Sequence, residues 1–145
     1  MPEWQTLGCN GEPHCRHENG FAEFEGKFYL FGGRRIQPVD IFDPATNSWT
    51  SASPPPMEIH HFQPVRVKDE LWLLGTMTGE FPRETPLETV YIYVPATDTW
   101  KEGPAIPTHR QRGAPVASCM RMAGFTSWAG SLTATIPAPN VGSIA

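Results

Sequence analysis

The chain has 145 residues, 39% hydrophobic and 18% charged, with 11 Lys and Arg against 15 Asp and Glu for a net charge of -4. That is the length of one domain, its basic residues are too scattered for the stripe of a nucleic-acid binder, and no apolar run approaches the roughly 18 residues of a membrane span. Met1, Pro2, Glu3 and Trp4 do not begin a signal peptide, so a soluble chain is expected.

Taken in chain order, the apolar runs are short, rich in β-branched and aromatic residues and bounded by turn chemistry, which predicts strands throughout and almost no helix. Trp4 is expected to start an outer strand ahead of the first full unit. In that unit, 20–25 reads as an inner strand, Glu25-Gly26 as its hairpin turn and 27–31 as the second strand. Gly32 and Gly33 end it, because paired glycines let the backbone turn sharply or approach a neighbour closely. Residues 39–42 form the third strand, and Asp43-Pro44-Ala45-Thr46 suits a type I turn, with Asp first and Pro preset at the second position. Trp49 opens the outer strand.

The same order returns with strands at 63–67, 71–74 and 90–93, a turn at 68–70, and Trp100. Two positions depart from it: Thr76 stands where the second glycine belongs, and Val94 replaces the turn aspartate. The connection between Gly75 and Val90 is much longer than that between Gly33 and Val39, so 76–89 is the one long loop. Long loops on a rigid scaffold are where function tends to sit.

The segment VDIFDPATNSW at 39–49 recurs as VYIYVPATDTW at 90–100, a period of roughly 50 residues. GKFYLFGG at 26–33 precedes the first copy and the run LWLLG at 71–75 the second. Over about 4–112 this pattern resembles the Kelch repeat, a four-stranded propeller blade of roughly 50 residues. The resemblance implies an all-β fold, a fragment of a Kelch-type β-propeller with two four-stranded antiparallel blades. A ring takes roughly 4 to 8 blades, so the chain is too short to close one. The expected organisation is an outer strand and loop at 1–15, blades at 16–56 and 57–108, the start of a third at 109–115, and a non-homologous tail at 116–145.

That tail carries one charged residue, Arg121, and reads either as disordered or as translated out of frame. The genetic code favours the second. In the alternative frame the junctions Met122-Ala123 and Trp128-Ala129 each force a glycine, and the codons between them permit an apolar, Tyr or His, apolar strand like that of GKFYLFGG. The junction before the first forced glycine permits Asp or Asn, completing a hairpin turn. A third blade thrown out of frame near 113–116 is therefore expected.

Three cysteines are too few for a disulfide framework: Cys9 and Cys15 fit a pair in an oxidising compartment or two thiols in a reducing one, and the compartment stays open. Cys9, His14, Cys15 and His17 have the residue types of a zinc site but no regular spacing. His60 and His61 are adjacent in a segment expected to be extended, where neighbours point to opposite faces, so no metal site is expected there.

One constellation is left: polar residues at the entrance to each inner strand. They are Arg16, His17 and Glu18 in the first unit, His60, His61 and Gln63 in the second, and Arg110 and Arg112 in the third. In a propeller such positions converge on the central channel, and convergent polar groups in a concavity form a default ligand site. The alternative is that they solvate the channel mouth or bridge blades. Arg34 and Arg35 after the paired glycines, with Glu80 and Arg83 in the long loop, are loop candidates.

The resemblance implies a binding and scaffolding module that contacts a protein or glycan through blade loops and channel mouth, incomplete by itself; the residues themselves lead us to expect no cofactor, no nucleic acid and no membrane span. Self-association through unpaired blade edges is expected. The rival is a sugar-active enzyme. A copper radical oxidase would need a tyrosine, a second ligand set and a crosslinked cysteine at the channel, none identifiable here; a mutarotase needs only polar channel groups such as Arg16, Glu18, His61 and Arg112.

Overall fold

The computed structural model of the chain describes residues 3–6, 8–111 and 113, and the backbone of 116–119, 125–129 and 132–135. Two four-stranded antiparallel sheets follow one another in the chain. The first is β1 (Gly20–Phe24), β2 (Lys27–Phe31), β3 (Val39–Asp43) and β4 (Ser48–Ala52), paired in sequence order. The second holds β5 (Gln63–Val67), β6 (Glu70–Leu74), β9 (Thr89–Val94) and β10 (Thr99–Ala105) in the same spatial order. Between β6 and β9 the long loop folds into its own small hairpin, β7 (Met77–Thr78) against β8 (Thr85–Pro86).

The repeat read from the sequence is a repeat of register. Phe28 faces Phe42 and Phe42 faces Trp49 in the first sheet; Leu71 faces Tyr93 and Tyr93 faces Trp100 in the second. The hairpin turns also repeat in backbone conformation, with Glu25 and Lys68 both at positive φ (51° and 54°). The second turn spans 68–69, so β6 begins one residue earlier than the sequence suggested, at Glu70.

The two blades share one core. Phe24, Tyr29, Phe31 and Val39 of the first blade pack with Leu71, Leu73 and Tyr93 of the second, joined by Ile59 and Phe62 of the connector. Phe31 sits edge-on to both Tyr93 (5.6 Å) and Trp100 (6.0 Å). Each large apolar side chain so buried contributes about 1.5–3 kcal/mol, which makes this face the main joint between the blades. A second cluster, Val65, Leu74, Val90 and Ile92, lies within the second blade.

The paired glycines have the reason expected of them. A Cβ on Gly32 (φ 55°) would stand 2.4 Å from the Ile59 carbonyl and 2.8 Å from the Phe62 ring, and one on Gly20 would lie 2.4 Å from the same ring. Phe62 therefore packs directly against first-blade backbone. Gly33 (φ 97°) approaches the His17 carbonyl. In the second blade Gly75 keeps the positive φ of 65°, whereas Thr76 is buried and donates its hydroxyl to the Leu73 carbonyl at 3.1 Å.

Trp4 corrects an expectation: it is fully exposed (103%) and lies in no strand. The segment ahead of the first blade instead touches it through Asn10, bridged in parallel to Ser48 at the outer edge. Asn10 exchanges backbone hydrogen bonds with Asn47 (3.0 Å) and Trp49 (2.9 Å). In the tail, β11 (Val116–Cys119), β12 (Phe125–Ala129) and β13 (Leu132–Thr135) form a three-stranded antiparallel sheet, with β11 beside β5 as β5 is beside β1. The remaining tail residues lie outside the described residues, and the question of reading frame belongs to the gene.

Candidate functional site

Topology gathers the strand entrances and the long loops at one end of both blades. Residues 16–19 lead into β1, 57–62 into β5, and the β2–β3 loop and the 76–89 hairpin close over the same end. Backbone bonds fix them together: Gly33 N–H to the Ile59 carbonyl (2.9 Å), His61 N–H to the Glu18 carbonyl (3.0 Å), and a reciprocal pair between His60 and Met77 (2.9 Å each).

Glu18 and His61 occupy equivalent places, two residues before their inner strands, and both adopt the left-handed conformation, with φ of 58° and 52°. Such conformations are costly for residues with a side chain and tend to collect at functional sites. The turn at His61 overturns the expectation that His60 and His61 point apart. Their Nδ1 atoms lie 2.8 Å from each other, so a single proton is held between them. With His60 protonated at Nε2, that nitrogen donates to the Gly79 carbonyl at 3.0 Å and Nδ1 accepts from His61. In the reverse tautomer Nε2 accepts from Arg34 at 3.3 Å. His60 is fully buried and His61 half-buried.

Arg34 is the hub of this end. Its guanidinium pairs with Glu18 and Glu84, donates to the Gly79 carbonyl at 2.7 Å and lies 4.0 Å from Glu58. Burial works to raise the Glu18 carboxyl's pKa, but Arg34 and His61 outweigh it and hold it below the ordinary range. The ion pairs with Glu18 and Glu84 drive the Arg34 pKa further up, against its own desolvation. Glu18 Oε2 is closed off from solvent and meets Arg34 as an ion pair, yet no donor is aligned with it as a hydrogen bond. One donor atom from each of Glu18, His60, His61 and Glu84 lies within 4.8 Å of the other three.

The remaining sequence candidates scatter. Arg16 does not face a channel mouth: its side chain and that of Asp40 are each 1% exposed and form a buried ion pair. Arg16 also donates to the Gly32 and Pro38 carbonyls (3.0 and 2.9 Å), while Asp40 accepts from the His14 backbone N–H (2.8 Å) and the Ser51 hydroxyl (3.3 Å). His14 Nδ1 is 2.8 Å from the same carboxylate, and Cys15 is an exposed free thiol. His17 is exposed with Nδ1 3.8 Å from Glu18, and Gln63 opens β5, donating to the Pro64 carbonyl. Arg35 is exposed and its N–H donates to Glu58 Oε2 at 2.9 Å. Glu80 and Arg83 are exposed at the tip of the loop hairpin. Arg110 is exposed at the end of a short 3-10 turn, and Arg112 lies outside the described residues.

Glu58 and Glu84 escaped the sequence reading. The signal for Glu84 is its place immediately before β8, whose register against β7 folds the loop back over the strand entrances.

No family model matches the chain. Among curated proteins it is similar to Kelch-like protein 35 of Mus musculus, 25% identical over 112 residues, which is 74% of this chain and 17% of that protein. It is similar to Kelch repeat and BTB domain-containing protein 12 of Danio rerio, 27% identical over 72% of this chain and 19% of the relative. A third relative, Kelch-like protein terF of Aspergillus terreus, is 26% identical over 77% of this chain and 27% of its own length. Two sheets with one register, paired glycines and these relatives agree. The chain carries Kelch repeats. Its four-stranded units are Kelch blades, none closed into a ring, and it spans between 17% and 27% of the length of these Kelch relatives. The alternative of a sugar-active enzyme gains no support from them.

Proposed function

We propose that this chain is part of a protein-binding Kelch module that meets its partner through the loop end described above. The observation that carries the reading is the pair of apolar loop tips there. Ile36 of the β2–β3 loop is 56% exposed and Phe81 of the 76–89 hairpin 81% exposed. Large apolar side chains held out on loops, with the charges of Arg35, Glu80 and Arg83 beside them, have the composition of a binding surface. Arg34 ties the two loops together through Gly79 and Glu84, so the tips are presented by an ordered scaffold. That reduces the entropy lost on binding.

A photo-crosslinking residue placed at 36 or 81 in the intact parent protein tests this. Adducts with a protein partner are expected from both positions and not from Glu25 or Asp69, which lie in the hairpin turns at the other ends of the same strands. Equal crosslinking from the turn positions would remove the loop end as the contact surface.

A further inference from the structure

We propose that Glu18, His60, His61 and Glu84 form a binding site for a divalent transition-metal ion of the zinc type at the junction of the two blades and the long loop. Zinc takes imidazole nitrogen and carboxylate oxygen at about 2.0–2.2 Å in a tetrahedron, which places its donors about 3.3–3.6 Å apart. Here the two Nδ1 atoms are 2.8 Å apart, and His61 Nδ1 lies 3.7 Å from Glu18 and 3.9 Å from Glu84. One ligand atom from each of the four residues lies within 4.8 Å of the other three. Shifts of less than about an ångström would bring them to coordination distance.

Three further features fit a metal better than a simple ion-pair cluster. His60 Nε2 is already aimed at the Gly79 carbonyl at 3.0 Å, the arrangement that fixes a ligating imidazole with Nδ1 turned to the ion. The left-handed backbone at Glu18 and His61 recurs at the same place in each blade, and both side chains meet in the cluster. Charge also balances, since two carboxylates and two neutral imidazoles around a divalent ion sum to zero. The ion replaces the proton held between the two Nδ1 atoms, with His61 carrying its own proton on Nε2 instead.

Arg34 is the competitor. In the arrangement described it supplies the positive charge between Glu18 and Glu84; with an ion in place its guanidinium retains Gly79 and turns to Glu58, now 4.0 Å away. The donors come from the β1 entrance, the inter-blade connector and the loop hairpin, so binding would pin all three segments and raise the stability of the folded chain by mass action.

Titration of the full chain with zinc against a chromophoric chelator, and with cobalt by visible absorption, tests the site. Expected are one ion per chain and a tetrahedral cobalt spectrum, with His61→Ala and Glu84→Gln each weakening zinc by about tenfold or more. His109→Ala serves as the control and should leave binding unchanged. Arg34→Met gives the opposite sign: it should melt lower than the parent without zinc, bind zinc more tightly, and regain its melting temperature when zinc is added. A β-sheet circular dichroism spectrum without a tetrahedral cobalt spectrum, zinc affinity untouched by His61→Ala, or weaker zinc binding by Arg34→Met would each overturn the proposal.

Discussion

Arg16 and Asp40 illustrate how far a residue can be read without its neighbours. Arg16 stands at a strand entrance and was expected at a channel mouth, but its partner lies in β3, where the second copy carries Tyr91, so comparing the copies hid the pair. The pair is buried and fully hydrogen-bonded, and removing one member leaves a charge without compensation. Arg16→Met should therefore destabilise the chain by about 3–5 kcal/mol, read as a lower midpoint in urea. A loss under about 1 kcal/mol would mean that water reaches Asp40. Glu18 and His61, by contrast, were legible as strand-entrance candidates in the two units. Their left-handed backbone was not, because that conformation comes from contacts between chain segments that are distant in sequence.

At the level of elements, the strands and their order were legible because short runs of aromatic and β-branched residues recur in both copies, and the turns that separate them carry their own chemistry. Contacts between elements were not. The turn residues Asn47 and Asp98, equivalent and both at φ 51°, each hold the segment that precedes their blade. Asn47 donates its amide to the Gly8 carbonyl at 2.6 Å; Asp98 accepts from the Ser53 N–H (2.9 Å), the Ser53 hydroxyl (2.9 Å) and the Tyr93 hydroxyl (2.7 Å). Burial pushes the Asp98 pKa up, but these donors outweigh it and keep it below the ordinary 3.8. The Tyr93 hydroxyl moves the other way, raised by burial and by its bond to Asp98. A carboxyl with a lowered folded pKa adds stability above its unfolded value and loses it as pH falls through the folded one. Between neutral pH and the ordinary value of 3.8 the Asp98 contribution is thus intact, and below 3.8 it is lost. Asp98→Asn should lower the melting temperature at neutral pH and leave less of an acid-induced fall below pH 3.8. Parallel melting curves across pH for variant and parent would exclude Asp98 as an acid-sensitive latch.

For the molecule as a whole, the shared core joins two blades, while a propeller normally protects its blade edges by closing. Repeat arrays generally need at least three units to bury a continuous core. This chain by itself should accordingly self-associate as its concentration rises and unfold over a broad transition. Sedimentation and calorimetry check this: a monodisperse monomer with one sharp transition would mean that two blades and the tail strands suffice. The two blades, moreover, are not interchangeable parts. Phe62 rests on Gly20 and Gly32, and the position equivalent to Gly20 in the second blade is Gln63. A Phe62-bearing blade thus calls for a preceding neighbour that offers bare backbone where its ring lands. Shuffling or duplicating these blades would set the ring against a side chain, so one aromatic and two glycines key the order of assembly.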